Sequence, residues 1–249
     1  MLNAINNYVQ ALLDVFYPRI CLYCHRNINY HCEQYICGTC RKNIPFVNER
    51  HCIRCGSVLG QYSVASEVKG CAFCRSEHLY HDSLTAIAYY DGAIKALIHK
   101  YKYERQRFLY KAIGDFLRKN KKLGELMREI DIIVPVPLYW RKKLQRGFNQ
   151  SELIAREIHR AFLTPFSVNN LIRIKNTTSQ TRLSKSKRYS NVQKAFFIKN
   201  PAIMKGKRVL LVDDVLTTGL TMRECAKKLK KTGAKSIHLF VFAIAEYKN

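Results

Sequence analysis

Acidic side chains are scarce in this sequence: 18 Asp and Glu stand against 43 Lys and Arg, a formal charge of +25 over 249 residues. That excess is too large for solubility alone, and a field of this sign attracts polyanions, nucleic acid first among them. Long apolar runs are also missing. None approaches the roughly 20 residues that cross a bilayer, which excludes a helical membrane span. Residues 1–20 have neither the basic start nor the unbroken apolar core of an export signal, so the chain reads as cytoplasmic. Beyond residue 74 cysteine is absent except for Cys225, where a small buried hydrophobe is the expected role. Disorder is excluded in turn, because 47% of the residues are hydrophobic, enough to build a core.

The charge that is present is unevenly placed. Residues 1–80 carry 8 basic and 5 acidic side chains, whereas residues 81–249 carry 35 and 13. The positive field therefore belongs to the C-terminal part. At the other end, Leu2, Ile5, Val9, Leu12, Leu13 and Phe16 recur at helical spacing, which predicts an amphipathic helix over residues 1–17, stopped by Pro18.

Eight of the nine early cysteines form four CxxC pairs: Cys21/Cys24, Cys37/Cys40, Cys52/Cys55 and Cys71/Cys74. Two thiolates separated by two residues can face one ion across a tight knuckle, and two knuckles complete a tetrahedral zinc site. Gly38 and Gly56 suit those turns. The second set has 15 residues between its pairs, within zinc-ribbon spacing, and the first has 12. Sequential pairing into two ribbons over residues 18–79 is the expectation, with two structural zinc ions. Spacing also admits a cross-braced arrangement. In reducing cytosol disulfides are disfavoured, and Cys32, His25, His31 and His51 are surplus to complete ligand sets. Each four-thiolate zinc site carries a formal charge of about −2, which leaves the module near neutral and suits structural or protein-docking work better than gripping DNA.

Residues 80–249 alternate strands and helices. Strands are expected at Ser83–Tyr90, Asp131–Val136, Asn170–Ile174, Val209–Val212 and Ser236–Ala243. Helices are expected at Gly92–Tyr101, Phe108–Asn120, Gln150–Leu163 and Met222–Lys231. This pattern predicts an α/β domain with a mostly parallel, doubly wound sheet. Its most informative stretch is Val209 to Thr221, VLLVDDVLTTGLT. A strand apolar on both faces ends in Asp213 and Asp214, and a Thr- and Gly-rich turn leads into a helix. Ligands bind at that end of such sheets, the helix start suits a phosphate, and the carboxylates can take ribose hydroxyls or magnesium. The string resembles the 5-phosphoribosyl-1-pyrophosphate (PRPP) motif of type I phosphoribosyltransferases.

Two basic loops flank this turn. Pro137–Asn149, PLYWRKKLQRGFN, offers Arg141, Lys142 and Arg146 to an anion. Lys175–Asn191 has no apolar periodicity and reads as a flap that would bring Arg182, Lys185, Lys187 and Arg188 to a phosphate chain. Rings are interleaved with the cations in Tyr101, Lys102, Tyr103, Arg105, Arg107 and Phe108, and in Tyr139, Trp140 and Arg141. Such interleaving suits single-stranded DNA, although each ring reads equally well as core.

Together the four knuckles, the VPVPL strand end, the RGFNQSELIA segment, the Gln180–Arg188 loop and VDDVLTTGLT resemble the ComF competence-protein family across essentially the whole chain. The resemblance implies a type I phosphoribosyltransferase-like parallel sheet with helices on both faces, preceded by a small zinc-ribbon module. It also implies a cytoplasmic role in natural transformation, handling incoming single-stranded DNA with the helicase-like partner ComFA. Carried onto this chain, the family's ribose-phosphate site falls on Asp213, Asp214, Thr217, Thr218, Gly219 and Thr221, with magnesium accompanying PRPP. Purine-salvage relatives carry an Asp where Thr217 stands, and orotate-type relatives carry Thr, which leaves a second reading open: an active phosphoribosyltransferase acting on a nucleobase-type acceptor.

Overall fold

A computed structural model of the chain describes residues 20–28, 35–47, 51–60, 65–66, 70–103, 109–176 and 194–245, excepting the side chains of residues 103 and 111. The helix expected over residues 1–17 lies outside these residues. So do Cys32, His31, Arg105, Arg107 and Phe108, and the Arg182, Lys185, Lys187 and Arg188 of the second basic loop.

Four parallel strands form the central sheet in the order β1–β6–β5–β2: β1 (Ser83–Tyr89), β2 (Ile132–Pro135), β5 (Arg208–Leu216) and β6 (Ser236–Ile244). The strand that comes last in sequence lies inside the sheet, with Leu84 opposite Leu239 on one side of it and Leu211 opposite Leu239 on the other. β2 is buried at every position, and β6 from Leu239 onward, as expected for a parallel sheet covered on both sides. On one face α2 (Gly92–Tyr103), α3 (Tyr110–Lys119) and α6 (Gln150–Phe162) pack Leu97, Ile113 and Ile154 against Leu210, Val212 and Phe240. On the other, Met222, Cys225 and Leu229 of α7 (Leu220–Lys230) meet Leu211, Leu239 and Val241. Cys225 is fully buried there, as its hydrophobic role requires.

Three local features differ from the expected pattern. The helix expected over Phe108–Asn120 does end at Asn120, but a further helix follows at once: the Asn120 side chain accepts from the Leu123 N–H at 2.8 Å and starts α4 (Lys121–Met127). The side-chain acceptor satisfies a first-turn donor that would otherwise be unpaired. The basic stretch after β2 is not all loop, since α5 (Trp140–Arg146) occupies it and ends at Gly147 in the left-handed conformation (φ 81°). No residue of α5 is buried, and among its seven residues only Trp140 and Leu144 are apolar, too few to mark a helix by periodicity. The strand at Asn170–Ile174 is shorter, β3 (Leu171–Arg173), and stands outside the parallel sheet. It pairs antiparallel with β4 (Phe196–Ile198), with Ile172 opposite Phe197.

The cysteine-rich segment packs onto this domain. Its helix α1 (Gly38–Lys42) starts at Cys37, and the chain leaving it pairs with the outer edge of β1: the Val47 N–H donates to the Ile87 carbonyl at 3.0 Å and the Tyr89 N–H to Pro45 at 2.8 Å. Cys21, Ile36, Cys37, Cys40 and Ile44 belong to the same buried cluster as Ile94 and Leu97. Further along, the Leu84 N–H donates to the Ile53 carbonyl at 2.6 Å, which ties the second ribbon to the start of β1. Among the described residues no helix is long and apolar enough to cross a membrane.

Candidate functional site

The strand carrying the acidic pair runs further than its apolar core, to Leu216, so Asp213 and Asp214 are strand residues and project to opposite sides. Each finds a different partner. The Asp213 carboxylate accepts from the Ser151 hydroxyl at 2.7 Å, in the first turn of α6, and from the Asp214 N–H at 2.9 Å. Burial, and then the neighbouring charge of Asp214, push its pKa up to about 7, so near neutral pH it can both donate to and accept from a hydroxyl. Asp214 is buried and holds the Lys102 ammonium at 2.8 Å. Burial works against the charge on Lys102, but Asp214 outweighs it and keeps the ammonium above its ordinary range.

Beyond the pair, Leu216 turns into the core rather than toward the turn's open side. Thr217 is exposed, and Thr218 and Thr221 are partly buried. Gly219 is left-handed (φ 70°) and caps α7 without any side-chain acceptor, while its carbonyl takes the Arg223 N–H at 2.8 Å. A Cβ at that φ is strained. Without a capping side chain, the first-turn amides of α7 can meet a phosphate directly.

A group of cations acts on one another near the pair. Lys142 is pushed below its usual range by burial and then by Arg173 and Arg146. Arg173 of β3 is depressed by burial, while Asp213 pulls it the other way. Arg141 lies with its guanidinium 5.2 Å from the centre of the Trp140 ring. Like charges that weigh on one another, as Arg173 and Arg146 do on Lys142, favour an anion nearby. Of the expected basic residues, then, Lys142 and Arg146 come together, and the structure adds Arg173. Sequence reading places Lys102 in a ring-interleaved basic run rather than beside the acidic pair, and does not single out Ser151 or Arg173. Each lies in an ordinary strand or helix, and only the tertiary fold brings it to the acidic pair. The rings separate as well: Tyr101 is core, donating to the Gln150 carbonyl at 3.2 Å, whereas Trp140 is 55% exposed.

The eight knuckle cysteines gather into two tetrads in sequence order, Cys21, Cys24, Cys37 and Cys40, then Cys52, Cys55, Cys71 and Cys74. The cross-braced alternative is therefore not the one adopted. Neighbouring sulfurs lie 3.6 to 3.9 Å apart, close to the roughly 3.8 Å edge of a tetrahedron with zinc–sulfur bonds of about 2.3 Å. Backbone donors support the first tetrad, since the Cys37 N–H points to Cys21 Sγ and the Cys40 N–H to Cys37 Sγ, both at 3.4 Å. In the second, Gly70 is left-handed (φ 74°), and a Cβ there would run into Cys74 Sγ. All described cysteines are free thiols. The donor set and spacing fit two zinc ions, and His25 and His51 belong to neither tetrad.

Comparison with known proteins agrees with both halves. The chain matches the phosphoribosyl transferase domain family over residues 149–249 and the double zinc ribbon domain family over residues 12–76. It is 31% identical over 243 residues to competence protein F of Haemophilus influenzae, covering 92% of this chain and 99% of that one. It is 30% identical over 175 residues to the DNA utilization protein YhgH of Escherichia coli, covering 68% and 75%. To competence protein ComFC of Streptococcus pneumoniae the identity is 26% over 205 residues, covering 82% and 86%. With both domains matched in order and the similarity to competence protein F running nearly end to end, the chain belongs to the ComF competence-protein family.

Proposed function

We propose that the protein handles incoming single-stranded DNA during natural transformation, and that its phosphoribosyltransferase-like scaffold takes PRPP or a related phosphate at the end of β5. What supports this is that the acidic pair at the C-terminal end of β5 lies within electrostatic reach of Arg173, which in turn acts with Arg146 on Lys142. Carboxylates alone would repel a phosphate chain, and cations alone would not orient a sugar. In this reading Asp213 and Asp214 take the ribose hydroxyls, and the turn Thr217, Thr218, Gly219 and Thr221 takes the 5-phosphate. Arg141, Lys142 and Arg146, with Arg182, Lys185 and Arg188, take pyrophosphate or the DNA backbone. Magnesium fits here only together with the ligand's own phosphates, since two carboxylates supply a minority of its octahedral oxygens.

The remaining units follow the division into residues 1–17, 18–79 and 80–249. The cysteine tetrads hold two structural zinc ions, and the outer surface of their near-neutral module docks a protein partner, the helicase-like ComFA being the family's candidate. The whole acts in the cytoplasm.

Charge reversal tests the DNA surface. Replacing Arg141, Lys142, Arg146, Arg182 and Arg188 together by Glu is expected to weaken binding of a fluorescent oligothymidylate by about two orders of magnitude or more at low salt, because backbone contacts dominate such affinity. Unchanged affinity in fluorescence anisotropy would place the DNA on another face.

A further inference from the structure

The ribose-phosphate site does not account for Trp140. This indole opens α5, a helix with no buried residue, and is 55% exposed, with Leu144 one turn on at 73%. Beside it lies a groove of about 410 Å³, between the end of β2 and the β3–β4 pair, within the size range of ligand pockets. Pro137, Ile172 and Ile174 give it apolar lining, while Lys143, Arg173 and Lys199 bring cations to its walls. Among the described residues that line it, Glu152 is the acidic one, and its carboxylate is already engaged by Lys143 at 3.1 Å and Arg156 at 3.3 Å.

We propose that this groove is a base-binding site for single-stranded DNA, in which a base stacks on Trp140 while flanking phosphates meet Arg141 and Lys199. The inference rests on the DNA-handling reading and adds to it a place where bases, rather than backbone, are held. Charge complementarity decides the class of occupant. A polyanion suits the walls, an aromatic or apolar body suits the lining, and a nucleotide strand supplies both at each step. The Tyr139 ring, 5.8 Å from Trp140 and tilted by 47°, extends the platform toward the neighbouring base. Paired bases in a duplex do not offer their faces to such a slot. The groove opens beside β2, the edge strand, and no residue of β5 lines it. Arg173 links the two, lining the groove and reaching the charge of Asp213.

Trp140 is the chain's single tryptophan, so intrinsic fluorescence reports on this site directly. Titrating the full chain with a 12-residue oligothymidylate is expected to quench that fluorescence saturably, in step with fluorescence anisotropy of a labelled oligonucleotide. Trp140→Ala is expected to weaken binding roughly 5- to 150-fold, and Trp140→Phe to recover most of the loss while circular dichroism stays unchanged for both. An oligoribonucleotide of matched length tests whether the slot distinguishes the sugar, and weaker quenching by RNA supports DNA as the occupant. Polyglutamate of matched charge is expected to leave the indole unquenched, and equal quenching by it overturns the assignment. If the wild type binds DNA by anisotropy but Trp140 is neither quenched nor needed, the groove is not the base site and the DNA reading stands. If the wild type binds no single-stranded DNA at all, the DNA reading fails and the groove assignment falls with it.

Discussion

Replacing Cys40 by Ser is expected to lower the melting temperature of the whole chain by about 10 °C or more, with stoichiometric zinc falling from two ions to one. The magnitude follows from placement. Four-thiolate zinc contributes many kcal/mol to folding in isolated fingers, and a loss of about 4 kcal/mol in a chain of this size corresponds to roughly 8–16 °C. Cys21, Cys37 and Cys40 share a buried cluster with Ile94, Leu97 and Ile113, and Arg41 of α1 packs over the Phe116 ring at 5.0 Å. Losing the first tetrad therefore opens the face of the sheet that carries α2 and, with it, Lys102. The second tetrad packs mainly on itself, with Leu59, Ala65 and Leu79 around Cys52, Cys71 and Cys74. Cys71→Ser should accordingly shift the melting temperature by less than half as much. Scanning calorimetry alongside a metal assay reads both, and equal small shifts for the two variants would contradict the keystone role of the first tetrad.

Asp214→Ala is expected to destabilise the protein by about 3–5 kcal/mol, the loss seen when one partner of a buried ion pair is removed and the other charge is stranded. The pair qualifies, with side-chain exposures of 19% for Lys102 and 10% for Asp214 at 2.8 Å. The same variant should abolish magnesium-dependent binding of PRPP. Stability and binding are separable by a second change. Lys102→Met with Asp214→Leu removes both charges and is expected to recover most of the stability, because apolar replacement of a buried pair is often neutral or better. Binding should stay lost, since no carboxylate remains on that side of β5. Chemical denaturation and isothermal titration distinguish the outcomes, and retention of PRPP affinity within about threefold in Asp214→Ala would remove Asp214 from the site.

Much of this was legible in the sequence because local chemistry and final structure agree there. The CxxC spacing permits a tetrahedron on geometric grounds, and the tetrads form in sequence order. The apolar runs of β2 and β5 mark strands covered on both faces, and Gly219 marks a turn that needs positive φ. Illegible features depend on contacts between distant segments. Nothing local places the last strand inside the sheet, since strand order depends on which helices cross over. Three-residue strands such as β4 carry too little pattern to register. The helix α5 is held by its left-handed Gly147 cap and not by an apolar face, so periodicity missed it. In the site itself the acidic pair was visible, but its partners were not: Lys102, Ser151 and Arg173 come from three separate elements.

A competition titration tests the central claim most directly: equilibrium binding of a labelled oligothymidylate to the intact protein over rising salt, without and with saturating magnesium–PRPP. If one basic surface serves the ribose-phosphate pocket and the DNA, the affinity falls linearly on a log–log scale with salt, at about one unit of slope per phosphate contact. PRPP then weakens DNA binding several-fold by occupying Lys142, Arg146 and Arg173. Absence of DNA binding at low salt, or DNA affinity indifferent to saturating PRPP, would contradict that account.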